Sequence, residues 1–209
     1  MQDTAPPARR PRARHLSAHE REAQIVARAA ECFSEQGFSV STRDLATHIG
    51  ITQPLLFRYF PSKEALINRV FEERFFSSWN PLWETWISDT AQPLEQRLFI
   101  YLKDYTQTIL RNDWIRLFVF AALEDPTLNK RYISLLQERI FRPILTELRT
   151  ARDLPPAPTA LEMELFWGFH SSFFYMGFRR WIYQLDVPDF LDDIIRARIA
   201  MLLSGLPVS

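Results

Sequence analysis

Between Thr42 and Lys63 the chain gathers side chains suited to reading a nucleic-acid duplex. The Gln53 amide donates and accepts in one plane, the pattern that pairs bidentately with adenine. Pro54 and Leu55 are apolar and suit contact with thymine methyl groups. Thr42, Arg43, Thr52, Tyr59 and Lys63 offer hydroxyls and cations for phosphate oxygens. Arg43 can also reach a base, and Arg58 can serve either role. Phosphate contacts of this kind fix register, while base-edge contacts read sequence. Phe57 has no polar side-chain atom and is expected only to pack.

A second group of residues points to a cavity. The later chain is dense in rings, among them Trp83, Trp86, Trp114, Phe118, Phe120, Trp167, Phe169, Phe173, Phe174, Tyr175, Phe178 and Trp181. Many must be core, yet together they exceed what a helical bundle needs, and large rings leave gaps. Trp83, Trp114, Phe118, Trp167, His170 and Phe174 are the candidate walls. A pocket so lined prefers an apolar or aromatic small molecule carrying one polar group. His170 is either a hydrogen-bonded core histidine or the polar contact to that molecule. No nucleophile–base pair, metal cluster or phosphate loop is evident, so no catalytic residue, metal or cofactor is expected. A helical enzyme working through His170, Arg179 and Arg180 would have only Glu162 or Glu164 as a partner carboxylate. His15 and His19 share the i, i+4 spacing of metal ligands but have no thiolate or carboxylate cluster beside them. Cys32, the single cysteine, falls on an apolar helix face and reads as core.

These side chains need helices to position them. Leu45, Ala46 and Ile49 give Thr42–Ile49 one apolar face, Ser41 can cap it, and Asp44 can return the bond as in a capping box. Gly50 supplies the turn. Thr52 caps the next helix, Pro54 falls in its first turn and Leu56, Phe57 and Phe60 form its inner face; Pro61 stops it and Ser62 caps a fourth. Upstream, Ser17 to Glu20 is a capping box opening a helix that runs to about Gln36. A helix from Lys63 to about Trp79 follows, then helices at about 93–110, 113–123, 127–152, 159–184 and 189–204. Pro143 should kink the helix at 127–152. The expectation is an all-α chain of about nine helices, its second and third forming a helix-turn-helix.

Formal charge is zero, so attraction to DNA must come from a local basic surface. Arginines at 9, 10, 12 and 14 mark residues 1–16 as a disordered basic arm that can reach DNA. Residues 17–66 form the DNA-binding unit and 67–209 a second helical domain. No run approaches the ~20 apolar residues of a membrane span, and a lone cysteine fits the reducing cytoplasm.

The run Thr42–Lys63, ending Phe57-Arg58-Tyr59-Phe60-Pro61-Ser62-Lys63, resembles the TetR family of bacterial transcriptional regulators, whose tyrosine-rich recognition helix is followed by Phe-x-Ser/Asn-Lys. The resemblance implies a ligand-responsive regulator, a repressor, binding a palindromic double-stranded operator as a homodimer in the cytoplasm at the nucleoid. It also implies an effector cavity in the second domain and a dimer made by the last two long helices; Gly168, Ser171 and Ser172 are small, as close packing there requires. The alternative is a helix-turn-helix protein acting only through protein contacts. Departures from the family pattern are Gln53 for a frequent lysine, Leu55 for threonine, Phe57 for a phosphate-binding tyrosine and Tyr59 for histidine.

Overall fold

Local capping chemistry decides where the first helices begin. In the computed structural model, which describes residues 16–205, α1 spans Ala18–Gln36 and opens with the expected capping box. Ser17 Oγ accepts from the Glu20 N–H at 3.2 Å, and Glu20 Oε2 accepts from the Ser17 N–H at 2.8 Å. Helix α2 is Thr42–Ile49, and Ser41 Oγ accepts from the Asp44 N–H at 3.1 Å. The expected return bond to the Ser41 backbone gives way to another: the Ser41 hydroxyl donates to Asp44 Oδ2 at 2.6 Å. An aspartate is one methylene shorter than the glutamate that completes a capping box, so it meets the hydroxyl instead.

Gly50 takes the left-handed conformation, φ 82° and ψ 34°, and turns the chain into α3, Gln53–Tyr59. A side chain at that φ would be strained. Ser62 then caps α4, Lys63–Phe71, which runs without a break into a π-helical stretch, Glu72–Phe76. The remaining helices are α5 (Leu82–Ser88), α6 (Leu94–Ile109), α7 (Asn112–Glu124), α8 (Thr127–Leu136), α9 (Arg142–Thr150), α10 (Ala160–Trp181) and α11 (Leu191–Gly205). No strand occurs among the described residues.

Helices α8 and α9 are joined through a second π-helical stretch, Gln137–Phe141, so ten continuous rods result where about nine were expected. The additional one is α5. Its seven residues are too few to show a period, but Trp83 and Ile87, four apart, are both buried. The kink expected at Pro143 is realised as that π stretch. A proline ring clashes with the carbonyl four residues back, and the widened turn before it, where the Arg142 N–H bonds to the Gln137 carbonyl, makes room. The rod bends its hydrogen-bond register without breaking.

One cluster of buried residues runs from the helix-turn-helix into the bundle. Ile25, Ala29, Cys32 and Phe33 of α1 meet Leu45, Ala46 and Leu56 at one end, and Phe71 and Phe75 carry the packing upward. Cys32 is fully buried, and burial raises its thiol pKa, as for a core residue. Two buried arginines brace the far end. Arg97 donates to the Ile87 and Gln92 carbonyls and pairs with Glu147. Arg149 pairs with Glu162 at 2.6 Å, and Glu162 also closes the capping box that opens α10 at Thr159. The arginine-rich arm and His15 lie outside the described residues.

Candidate nucleic-acid interface and aromatic cavity

Helix α3 is short enough that its two faces can be read residue by residue. Leu56 is buried against α2, and Phe60 closes the inner side at the C-terminus. Gln53, Pro54, Phe57 and Arg58, spaced i, i+1, i+4 and i+5, form the opposite stripe. Phe57 is 41% exposed, which corrects the expectation that it only packs. It follows Leu56 by one residue, about 100° around the helix, and so projects outward once Leu56 points in. Leu55 is half-buried at the edge of this stripe.

The flanking side chains complete a polar rim. Arg43 is exposed on α2, and the Arg58 guanidinium lies 5.7 Å from the Tyr59 ring centroid. Thr52 caps α3, accepting from the Leu55 N–H at 3.4 Å. Lys63 stands in the first turn of α4, where free backbone N–H groups and a cation together suit a phosphate. Gln53 Nε2 donates to Thr42 Oγ1 at 2.8 Å, tying the start of α3 to the start of α2.

The second site is a cavity of about 180 Å³ lined by Tyr105, Trp114, Phe118, Tyr132, Ile133, Leu136, Trp167, His170, Ser171 and Phe174. Five of the six expected wall residues meet there: Trp114, Phe118, Trp167, His170 and Phe174. Trp83 does not. It is fully buried one layer behind, edge-on to Tyr105 at 5.5 Å, with its indole N–H donated to Asp104 at 2.7 Å. Tyr105 and Tyr132 were absent from the expected walls. Tyr105 shares the helical spacing of the buried residues Leu98, Leu102 and Ile109 of α6, and nothing local sets Tyr132 apart.

Packing fixes the rings. Trp114 stacks on Phe118 at 4.9 Å and 12°, and Phe174 stands edge-on to both. His170 is 2% exposed, lies between Tyr105 and Phe141, and its Nε2 is 2.8 Å from the Tyr101 hydroxyl. Burial pushes its pKa down to about 3, so the imidazole is neutral near pH 7. Burial raises the pKa of Tyr105 and Tyr132, which keeps both protonated. The lining contains no Asp, Glu, Lys or Arg.

Helix α7 joins the two sites. Trp114 and Phe118 face the cavity, whereas Arg116 and Phe120, two residues on from each, face α1. A two-residue step turns 200° on a helix. Arg116 donates to the Ser34 and Glu35 carbonyls in the last turn of α1, where a cation is favoured by the helix dipole. Phe120 lies over Gly37, 3.4 Å from where a Cβ would stand. Helix α4 makes a second link. It begins at Lys63, and Phe75, in the π stretch that continues it, touches Trp114 and Phe118 with centroids at 4.9 and 5.6 Å. The α4 rod therefore ends on the cavity wall, short of the expected Trp79.

Residues 25–70, which contain this helix-turn-helix, match the family model for bacterial regulatory proteins, tetR family. This segment is similar to the DNA-binding region of tetR-family regulatory proteins. The fold of the chain agrees along nearly the whole length. A TetR family transcriptional regulator from Pseudomonas syringae pv. tomato superimposes with a TM-score of 0.65 at 19% identity, covering 91% of this chain and 98% of that one. A tetR-family regulator from Streptomyces coelicolor gives 0.62 at 19%, covering 90% and 82%. The regulator PfmR from Thermus thermophilus gives 0.60 at 22%, covering 88% and 99%. Comparison with curated proteins gave no match. No described helix is long and apolar enough to cross a membrane.

The nine residues expected at DNA, Thr42, Arg43, Thr52, Gln53, Pro54, Leu55, Arg58, Tyr59 and Lys63, lie within α2, α3, their caps and the first turn of α4. Phe57 joins them as the residue that the sequence pattern had assigned to the interior.

Proposed function

We propose that this chain is a ligand-responsive repressor that binds a near-palindromic operator as a homodimer in the cytoplasm, at the nucleoid, and is released by a small apolar or aromatic effector. The observation that carries the reading is the two-faced α7, with the aromatic cavity on one side and the C-terminus of the first DNA-domain helix on the other. Residues 17–66 act as the DNA-binding unit and 67–209 as the effector and dimer domain, with α4 crossing the boundary.

In this reading α3 enters the major groove. Gln53 reads a base, Pro54, Leu55 and Phe57 offer apolar contact to thymine methyls, and Thr42, Arg43, Thr52, Tyr59 and Lys63 hold phosphates, with Arg58 at either. Support for a dimer comes from α10 and α11. Leu161, Leu165, Gly168, Ser172 and Tyr175 follow one stripe of α10, and Met201 on α11 is 72% exposed. Between the two helices lies an open groove of about 330 Å³ lined by Leu165, Phe169, Ser172, Arg198, Met201, Leu202 and Gly205. A second copy related by a two-fold axis covers such a face with itself, and the operator then repeats the symmetry.

Effector binding releases DNA when the ligand prefers a conformation whose two recognition helices no longer match successive groove faces. Movement of α7 or the α4 rod relative to α1 provides it. The test is titration of promoter DNA against the protein at several salt concentrations. A dimer on each site and a steep salt dependence are expected, with Lys63→Ala weakening all sequences alike and lowering the slope by ~1. Gln53→Ala should cost ~1–3 kcal/mol at one position per half-site. A monomer on DNA, or identical behaviour of the two variants, would overturn this assignment.

A further inference from the structure

We infer that the cavity admits an uncharged ligand built on a single aromatic ring with one hydrogen-bonding oxygen. This deepens the effector-site reading above and rests on it.

Size sets the first bound. An apolar cavity of ~150 Å³ is enough for benzene, and this one is about 180 Å³. One ring and one or two further heavy atoms fill it. A fused bicycle or a long acyl chain does not fit unless the packed wall moves. Charge sets the second bound. The wall carries no acidic or basic side chain apart from His170, which is buried beside Tyr101 and neutral. A carboxylate or ammonium would leave water and meet no counter-charge, a cost that grows steeply with burial. Shape sets the third. The stacked Trp114–Phe118 pair, with Phe174 edge-on at 6.3 and 5.7 Å, offers ring faces and edges that a further aromatic ring can continue. Polar atoms are few. Ser171 is exposed on α10 at the cavity mouth, the wall adds the Tyr105 and Tyr132 hydroxyls and a buried Trp114 indole N–H with no partner among the described residues, and the His170–Tyr101 pair lies deep within. One oxygen on the ligand is therefore what the site can satisfy.

Calorimetric titration of the full chain with benzyl alcohol, benzylammonium and benzoate tests this, since the first two differ chiefly in charge. Benzyl alcohol should bind at least ~100-fold more tightly than either ion. 2-Chlorophenol, which ionises at mildly alkaline pH, should lose affinity as pH rises through its own pKa. Binding should vanish in Ser171→Trp and in Ile133→Trp, each filling the mouth, with folding verified by circular dichroism. If benzoate or benzylammonium binds as tightly as the alcohol, and both tryptophan variants block it, the inference on charge is overturned while the cavity remains the effector site. If 1-naphthol binds more tightly than benzyl alcohol, the size limit is overturned. If no compound binds, or binding survives both tryptophan variants, the inference and the effector-site reading fall together.

Discussion

The candidate DNA-reading head and the aromatic body solve opposite problems with the same helices. The head, α1 to α3, keeps its candidate DNA contacts at the surface: Phe57 and Arg58 are exposed and Gln53 is half-buried, while Leu56 is the buried residue of the short α3. The body turns its candidate functional rings inward, where Trp114 and His170 are at most 5% exposed. A surface reader is tuned by what it displays to a charged polymer, and a buried site by what it keeps from water. Charge is consequently available in the head and absent from the cavity wall. One packed cluster nevertheless joins the two regions, so disturbance at the junction should be felt in both.

The sharpest challenge to that comparison is Phe75→Ala. Phe75 is fully buried, and its ring touches Phe71, Trp114, Phe118 and Tyr132. Truncating such a residue should cost ~3–5 kcal/mol. If head and body form one cooperative unit, thermal unfolding stays a single transition at lower temperature, and amides of α2 lose hydrogen-exchange protection along with those of α7. Loss confined to the body would show two independently stable regions.

Acid should separate the regions by a graded effect, small near neutrality and growing as pH falls. His170 has a native pKa of about 3 against 6.5 for an unperturbed histidine. The unfolded chain therefore takes up a proton below pH 6.5 that the native chain refuses. Its contribution is complete above pH 6.5 and is lost as pH falls toward 3, at up to about 1.4 kcal/mol per pH unit. Denaturant melts of wild type and His170→Gln across that range should show the variant with a shallower decline. Parallel declines would mean that His170 is protonated in the native state.

Arg116 tests the link itself, with the smallest effect. Replacing it by alanine removes two bonds from α7 to the end of α1 and leaves the cavity wall in place. Effector affinity of the free protein should stay the same, while the effector's influence on DNA affinity drops several-fold, within the ~1–3 kcal/mol usual for such coupling. Arg116→Lys should restore part of it. An undiminished effect would assign the transmission to α4 alone.

The same contrast explains what could be read in advance. The head was legible because its signals are local: Ser17 with Glu20, Ser41, Gly50, Thr52 and Ser62 each act within four residues of themselves. Apart from the Asp44 return bond, its one error, Phe57, arose where a seven-residue helix left a single residue to decide which way the others turn. In the body the decisive relations are distant. Tyr101 and His170 meet across 69 positions, and Trp83 finds Asp104 across 21. Ring type alone could not tell that Trp83 would sit behind the wall and Tyr132 in it. Helix α5 escaped for a related reason, since its two buried residues show one helical turn and no more.

The bond between Gln53 and Thr42 carries a consequence for how operators are found. In the free chain the candidate base reader is already satisfied by its own protein. On random DNA it can stay folded back, so no stranded amide penalises a wrong sequence and the chain is free to slide along phosphates. At a matching adenine the amide trades one partner for two, and only that difference holds the protein in place. If α3 reads DNA as proposed, the internal bond works as a detent, and Thr42→Val, by removing it, should leave the amide stranded on wrong sequences and shorten the protein's residence there.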